Sequence, residues 1–267
     1  MDMKKIDVHT HLSQEDPSMD TYVDLMDRYE VERIVCHGWN AKAYGRALDN
    51  EDILKAIKRH PDRIYGSPYI DFLRPVQECI DAVDRFADVG CVCIKLFPNF
   101  GYDPNDERFE PIWQKVEDRG LMCLSHCGWL LPNQAHPKMR IQSLTATPLH
   151  FEVPARRHPG INFIFAHFGG GASYLETITL LSRLPNCYAD ICPGWGLWVW
   201  QNRMPGLEGV DMTRVLFGTD GAGERYGASE VTWTQILKSY GCTDSQMHDF
   251  FYGNAARLLG LAQQQEA

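Results

Sequence analysis

The sequence of 267 residues predicts an α/β protein built as a single (β/α)8 TIM barrel with a C-terminal helical extension. Eight short apolar runs alternate with longer amphipathic stretches, and together they fill the length that this fold requires. No linker, low-complexity tract or internal repeat divides the chain, so residues 1–267 are predicted to form one domain.

The predicted strands are short runs rich in β-branched and aromatic residues. In chain order they are KKIDVH, ERIVCHG, RIYGSPYI, CVCIKLF, LMCLSH, INFIFAH, CYADIC and RVLFGTD. HPDR at 60–63 and HPG at 158–160 place Pro or Gly directly before two of these strands. This punctuation indicates that the preceding helices end there.

The segments between the strands have helical patterns. They cover 19–30, 50–60, 74–88, 107–119, 148–158, 172–184, a weakly patterned 197–208, and 228–240. DSQMHDFF and NAARLLGL then form the C-terminal extension. An open doubly wound sheet would show the same alternation. That fold requires a glycine-rich loop after the first strand, however, and VHTHLSQED contains no glycine.

Composition and charge narrow the class of protein. A hydrophobic content of 44% is typical of a globular protein, and the net charge of −9 argues against a nucleic-acid partner. No signal-peptide pattern and no apolar run of membrane-spanning length is present, so no membrane partner is expected. The nine cysteines lie mostly in predicted strands, which predicts reduced thiols and a cytoplasmic location.

Several polar residues fall where predicted strands end. In a TIM barrel the C-terminal ends of the strands converge on one mouth, where the chemistry takes place. The residues at or near these ends are His9 and His11 on strand 1, His37 on strand 2, Lys95 on strand 4, His126 on strand 5, His167 on strand 6 and Asp220 on strand 8. We therefore expect them to lie close together.

Period-two alternation assigns these residues to a face of each strand. On strand 1 it places Asp7, His9 and His11 inside the barrel, with Ile6 and Val8 facing the helices. Imidazole and carboxylate groups in this arrangement suit a catalytic divalent ion. The alternative is that each histidine is an ordinary hydrogen-bonded core residue, and the coincidence of five inward strand ends argues against it.

The ordered motifs DVHTH, IKLFP, LSHCG, FAHFGGG and LFGTDG, followed by FFYGNAARLLGL, resemble the amidohydrolase superfamily. The closer similarity is to its amidohydrolase-related branch, which includes aminocarboxymuconate-semialdehyde and resorcylate decarboxylases and pyrone-dicarboxylate lactonase. The resemblance implies one divalent metal ion on His9, His11, His126 and Asp220, with His167 as the catalytic acid or base. Zn²⁺ is the expected ion, and Mn²⁺ and Fe²⁺ suit the same ligands.

Lys95 leaves an alternative open. In other branches of the superfamily a carbamylated strand-4 lysine bridges two metal ions, and the resemblance to the single-metal branch makes that arrangement the less expected one here. Otherwise Lys95 contacts a substrate anion or is a structural charge within the barrel.

The expected reaction is hydrolysis of a small-molecule amide, lactone or ester by water bound to the metal, in which Asp220 also takes part as a catalytic residue. Non-oxidative decarboxylation of a small, possibly aromatic, carboxylic acid is the alternative, since the same ligands serve both reactions. The short chain favours hydrolysis, because the decarboxylases of this branch are expected to carry insertions. A TatD-like nuclease would have glutamate in place of Lys95, and a catalytically silent barrel would have lost a ligand.

Aromatic and basic residues in the strand-following segments bear on the substrate. Trp39, Trp129 and Trp195 predict a pocket for a planar or apolar small molecule, or else they pack loops or the interface of a homo-oligomer. Arg203 and Lys95 would bind a carboxylate on the substrate, or else Arg203 is a solvated arginine of a surface loop. His37 could contact the substrate, or it has a hydrogen-bonded role in the core.

Overall fold

Eight parallel strands form the predicted barrel in a computed structural model, which describes residues 3–12, 15–39, 50–130, 140–192, 194–221 and 226–261. The strands are β1 (Lys5–His11), β2 (Val31–His37), β3 (Ile64–Ser67), β4 (Cys93–Leu96), β5 (Met122–Ser125), β6 (Phe163–Phe165), β7 (Cys187–Asp190) and β8 (Val215–Leu216). All eight lie within the runs predicted from the sequence or extend them by one or two residues.

Hydrogen bonds between neighbouring strands close the barrel. β1–β3 and β4–β8 pair in parallel as two sheets. The first gap, between β3 and β4, is bridged by Lys95, whose N–H donates to Pro68 (2.8 Å) and whose carbonyl accepts from Ile70 (3.1 Å). The second gap is bridged by Val8, which donates to the carbonyl of Phe217 (3.1 Å). The chain is therefore a TIM barrel, as predicted.

The helices surround this barrel. They are α1 (Asp20–Arg28), α2 (Asn50–Arg59), α3 (Val76–Asp88), α4 (Glu110–Asp118), α5 (Glu152–Arg157), α6 (Tyr174–Arg183), α7 (Trp195–Gln201) and α8 (Tyr226–Ser239). The predicted extension contains α9 (Asp244–His248), a π-helical turn (Asp249–Gly253) and α10 (Asn254–Leu258). Tyr252 and Ala255 of this extension pack on the interior residues Ile6 and Leu216, so the extension closes one end of the barrel.

The interior of the barrel corrects one prediction about β1. Ile6 and Val8 pack inside the barrel with alternate residues of other strands, among them Val35, Cys93, Leu124, Ile164 and Leu216. The prediction that they face the helices is therefore wrong. The pairing of β1 with β2 shifts register between Asp7 and Thr10, and this irregularity interrupts the period-two alternation before His9.

Asp7 consequently does not share the face of His9. Its carboxylate accepts hydrogen bonds from the backbone N–H of His9 (3.0 Å) and from the N–H and hydroxyl of Thr219 (3.1 and 2.6 Å). Burial raises the pKa of Asp7 to about 7, although these hydrogen bonds act in the opposite direction. Asp7 thus connects β1 to the segment that carries Asp220.

This raised pKa predicts a loss of stability as the pH rises. Between about pH 4 and about pH 7 folded Asp7 holds a proton that the unfolded chain has released, so the free energy of unfolding should decrease by roughly 4 kcal/mol across that range. Asp7→Asn should remove this part of the pH dependence. Urea unfolding from pH 4 to 8 measures it, with exposed Asp118→Asn as the control. An unchanged pH profile in Asp7→Asn would contradict the assignment.

Among the described residues, no helix combines the length and the hydrophobicity needed to cross a bilayer.

Candidate active site

The two histidines of β1, His9 and His11, both direct Nε2 toward the carboxylate of Asp220. Nδ1 of His9 lies 2.9 Å from a carboxylate oxygen of Asp190, and Nδ1 of His11 lies 3.0 Å from the carbonyl oxygen of His37. Both partners are acceptors, so both histidines carry their proton on Nδ1 and leave a lone pair on Nε2. The two Nε2 atoms lie 3.3 and 3.2 Å from one oxygen, Oδ1 of Asp220.

This arrangement brings together three electron-pair donors, which are Nε2 of His9, Nε2 of His11 and Oδ1 of Asp220, with no proton between them. Nε2 of His11 is buried and makes no hydrogen bond within the part of the chain that the structure describes. Ligands bound to Zn²⁺ at 2.0–2.1 Å lie roughly 3.3 Å apart at tetrahedral angles, close to the distances found here. Burial, assisted by the charge of Lys95, lowers the pKa of His9 to about 4 and favours the neutral ring that a metal requires. The residues fit a divalent ion.

Asp220 and His167 are both held in unusual backbone conformations. Their φ angles are 49° and 57°, in the left-handed region that costs a residue with a side chain about 1–2 kcal/mol. His167 begins a tight turn, His167–Gly170, that has positive φ throughout. Nε2 of His167 lies 3.9 Å from the second carboxylate oxygen of Asp220. Strain of this kind is typical of functional sites.

Asp220 is ionised, because a proton bound within this group of residues rests on a neighbouring imidazole rather than on the carboxylate. Burial alone would raise the pKa of its carboxyl, but His9, His11 and His167 outweigh burial and hold the pKa well below its usual range. Asp220 is therefore a carboxylate that contacts both β1 histidines through one oxygen and faces His167 through the other.

Asp190, at the end of β7, is a site residue that the sequence analysis missed. Its side chain is fully buried, and one oxygen accepts the proton of His9 Nδ1. Its other oxygen accepts the backbone N–H groups of His167 (3.0 Å) and Cys192 (3.2 Å). The strand-end criterion that selected Asp220 applies equally to Asp190 in CYADIC, and it would have found this residue.

Replacing Asp190 should weaken metal binding, because a carboxylate behind a metal-binding histidine fixes its tautomer. In Asp190→Asn the amide NH₂ can face the Nδ1–H of His9, so the proton of His9 moves to the atom that should bind the metal. We expect about a 10–100-fold loss of Zn²⁺ affinity, measured by competition with a chromogenic chelator. Asp118→Asn is the matched control, and an affinity equal to wild type would show that the pair has no such role.

Lys95 lies beside the candidate metal ligands His9, His11 and Asp220. Its side chain is fully buried inside the barrel, and Nζ is 2.9 Å from Nε2 of His9. Burial lowers the pKa of this amine. The structure thus confirms the inward orientation predicted for Lys95 and places its amine among the candidate metal ligands.

His126 lies beside His167, with the two ring centroids 5.0 Å apart and Nε2 3.3 Å from the carbonyl oxygen of Trp129. Within the described residues it belongs to none of the three groups close enough to share an ion, which are His9–His11–Asp220, His9–Asp190–Cys192 and His167–Cys192–Asp220. Its role as a metal ligand stays a prediction.

Two of the residues predicted to contact substrate have other partners. Nε2 of buried His37 hydrogen-bonds to the carbonyl oxygen of Val8 (2.7 Å), and this contact supports the core role for His37. The guanidinium of Arg203 hydrogen-bonds to the carbonyl oxygen of Ser239 and stacks over Tyr240 (4.8 Å). The expected contact of Arg203 with a substrate carboxylate finds no support in this arrangement, because α8 holds the guanidinium.

The three tryptophans lie around the site. The Trp39 ring packs against His11 (5.0 Å between centroids). Trp129 and Trp195 are 71% and 51% exposed and line an apolar cleft of about 570 Å³ with Trp198, Tyr174 and Met204. Gly170 and Gly171, which follow His167 in the same turn, also line this cleft. The cleft and the candidate metal ligands therefore both lie beside the segment that begins at His167.

Comparisons with known proteins identify the family profile and the fold that the chain matches. The profile of a family described as amidohydrolase (Amidohydro_2) matches residues 6–261. No curated protein sequence shows significant similarity. Among solved structures, an uncharacterised TIM-barrel protein from Bordetella bronchiseptica has a TM-score of 0.70 at 20% identity and covers 98% of this chain and 100% of its own.

Two other structures carry names that describe a reaction. The 2,6-dihydroxybenzoate decarboxylase from Rhizobium has a TM-score of 0.66 at 18% identity, with 97% of this chain and 99% of that chain covered. A proposed 2-pyrone-4,6-dicarboxylic acid hydrolase from Pseudomonas putida has a TM-score of 0.68 at 15% identity, with 97% and 98% covered. At these identities the likeness establishes a shared fold.

Proposed function

The chain belongs to the amidohydrolase family Amidohydro_2, and from this membership we propose that it is a metal-dependent hydrolase acting on a small-molecule lactone, ester or amide. One observation carries the proposal. Nε2 of His9 and Nε2 of His11 lie 3.3 and 3.2 Å from Oδ1 of Asp220, and the hydrogen bonds of Nδ1 place both histidine protons on the other ring nitrogen. Neutral imidazoles and a carboxylate aimed at one point are a metal-binding arrangement.

We propose that His9, His11 and Asp220 hold one divalent ion, with His126 as a fourth ligand as the family resemblance implies. Zn²⁺ is the proposed ion. When bound, the ion supplies Lewis-acid chemistry, because it polarises a substrate carbonyl and lowers the pKa of a water molecule.

The residues of the chain supply the proton transfers and the orientation. Asp220 is ionised and touches the cluster, so its carboxylate can take a proton from the attacking water and return it to the leaving group. His167 faces the free oxygen of Asp220 across 3.9 Å, and a substrate oxygen positioned near this gap can receive a hydrogen bond from its ring.

Decarboxylation is the second candidate, and the fold shared with the Rhizobium decarboxylase supports it. That structure aligns over 99% of its own chain with 97% of this one. In this candidate reaction the same cluster would bind the oxygens of a carboxylic acid, and a protonated side chain would deliver the proton that replaces carbon dioxide.

We propose that an apolar or planar part of the substrate binds in the tryptophan cleft. Its volume of about 570 Å³ is in the range of small-molecule sites, and the lining residues that the structure describes carry no charge. A carboxylate on the substrate would therefore bind outside the cleft. We propose that it pairs with buried Lys95, which lies beside the proposed metal ligand His9.

Trp129→Ala tests this cleft. Because the exposed ring lies on the cleft wall, its removal should raise KM about tenfold and leave kcat nearly unchanged. The control is Leu144→Ala, which removes an equally exposed apolar side chain outside the cleft lining. A change in oligomeric state on size-exclusion chromatography with no change in KM would instead show that the cleft forms a contact between copies of the chain.

The cysteines bear on the location of the protein. All nine are free, and eight of them are buried. We propose a reducing, cytoplasmic environment, in which these thiols persist.

The function is tested on the purified protein, after its metal content has been measured and after reconstitution with Zn²⁺ or Mn²⁺. Lactones and esters are assayed by acid release, amides by ammonia release, and aromatic carboxylic acids by release of carbon dioxide. A protein with His167 replaced by asparagine, prepared in the same way, excludes a contaminating enzyme. Acid or ammonia release supports hydrolysis, and carbon dioxide release supports the second candidate. Failure to bind either metal would overturn both.

A further inference from the structure

The thiol of Cys192 lies between two histidines of the site. Cys192 is two residues beyond the end of β7, and its side chain is fully buried. Sγ is 2.9 Å from Nδ1 of His167 and 3.5 Å from Nδ1 of His9. The thiol therefore contacts one ring nitrogen of His167, Nδ1, while the other ring nitrogen, Nε2, faces Asp220.

The backbone fixes this contact. One oxygen of Asp190 accepts the N–H of His167 (3.0 Å) and the N–H of Cys192 (3.2 Å). A single carboxylate thus holds the main chain of both residues, and His167 starts a turn whose φ angles are all positive. The distance between thiol and imidazole is consequently set by two rigid main-chain attachments.

The hydrogen bonds of the neighbours indicate where the thiol proton lies. Nδ1 of His9 donates its own proton to Asp190 at 2.9 Å, so it cannot accept another. Of the two ring nitrogens near Sγ, only Nδ1 of His167 is free to accept the thiol proton. The carboxylate of Asp190 is the other acceptor beside the thiol, and its oxygens already accept from Nδ1 of His9 and from two backbone N–H groups. A cysteine thiol has an ordinary pKa of about 8.5, so near neutral pH the sulfur carries the proton and is the donor of this pair.

We propose that Cys192 is a positioning residue: its S–H donates to Nδ1 of His167 and holds that imidazole as the neutral tautomer with the proton on Nε2. This inference rests on the proposed role of His167. The Nε2–H then faces the 3.9 Å gap to Asp220, which is longer than a hydrogen bond, so its donor capacity remains available to substrate.

The tautomer determines whether His167 donates a hydrogen bond or accepts a proton through Nε2. A neutral imidazole that presents N–H polarises a substrate oxygen by donating a hydrogen bond, as in other enzymes with neutral electrophilic histidines. It cannot at the same time serve as a base through that nitrogen. Proton transfer from the attacking water is then left to the carboxylate of Asp220.

The assignment can be read directly by NMR of protein labelled with ¹⁵N in its histidine rings, in the metal-free and the Zn²⁺-loaded forms. Signals of His167 are identified by their loss in His167→Asn. We expect wild-type His167 to show a protonated Nε2 and an unprotonated Nδ1. Cys192→Ser, which keeps a donor, should retain this tautomer, and Cys192→Ala should shift the proton toward Nδ1. Cys123→Ala removes a buried thiol from the layer between strands and helices, and it should change nothing.

Kinetics provide a second measurement. Cys192→Ala should lower kcat about 5–30-fold with little change in KM, and Cys192→Ser should restore most of the rate. A proton on Nδ1 of His167 in the wild-type spectrum would overturn the proposal, and so would an unchanged tautomer in Cys192→Ala. The wild-type spectrum decides the matter even if a variant fails to fold. The spectrum is also independent of substrate, so it tests the tautomer of His167 even if the proposed reaction is not observed.

Discussion

Asp220→Asn is expected to lower kcat/KM about 10³-fold and to weaken Zn²⁺ binding, because this carboxylate serves the proposed metal and the proposed proton transfer at once. Its Oδ1 contacts Nε2 of both His9 and His11, so loss of the negative charge removes the anionic member of the ligand set. Asparagine is the appropriate replacement because it tolerates the left-handed conformation that Asp220 adopts at φ 49°.

Two measurements separate the effects of this change. Metal content after dialysis reports binding, and kcat/KM at saturating metal reports the remaining loss of chemistry. Exposed Asp118→Asn should match wild type in both assays. If Asp220→Asn binds Zn²⁺ as wild type does and turns over substrate at the normal rate, the proposed centre is wrong, and the β1 histidines have a structural role.

His167→Asn should lower kcat about 10²–10⁴-fold while the protein keeps its metal. The imidazole faces Asp220 at 3.9 Å and does not contact His9 or His11 through hydrogen bonds, so its removal should leave the ligand set intact. Asparagine again tolerates the local backbone, which has φ 57° at His167. Unfolding by urea should be close to that of wild type.

The informative comparison for His167→Asn is between metal content and turnover. His150→Asn, in which a half-buried histidine bound to Asp103 is replaced, is a matched control that should keep both. Loss of metal together with activity would make His167 a ligand of the ion. Retention of full activity would exclude it from the reaction and would leave His126, 5.0 Å away, as the candidate acid.

The resemblance and the strand ends together identified most of the site. The criterion that chemistry lies at the C-terminal ends of barrel strands selected His9, His11, His167 and Asp220, and the structure brings these four together. It also located Lys95, whose inward position follows from the alternation of a regular strand. Asp190 satisfies the same criterion, but its run CYADIC is not among the motifs that carry the family resemblance.

The orientation predicted for Ile6, Val8 and Asp7 was wrong, and the substrate contact predicted for Arg203 stays a prediction without structural support. Both depended on how neighbouring elements pair. The alternation of β1 was extrapolated through a register shift, so Ile6 and Val8 lie inside the barrel and Asp7 does not face the mouth. Arg203 was placed by its position after β7, but its side chain is long enough to reach α8 and bonds there to Ser239. Neither partner is visible in the local sequence.

By itself the sequence determined the fold class, the order of the strands and the strand-end residues of the site, because hydrophobic periodicity and turn residues are local properties of the chain. Only the tertiary structure decided which protons the imidazoles carry. That choice depends on acceptors far away along the chain, such as Asp190 for His9 and His37 for His11, which closure of the barrel brings within hydrogen-bond distance.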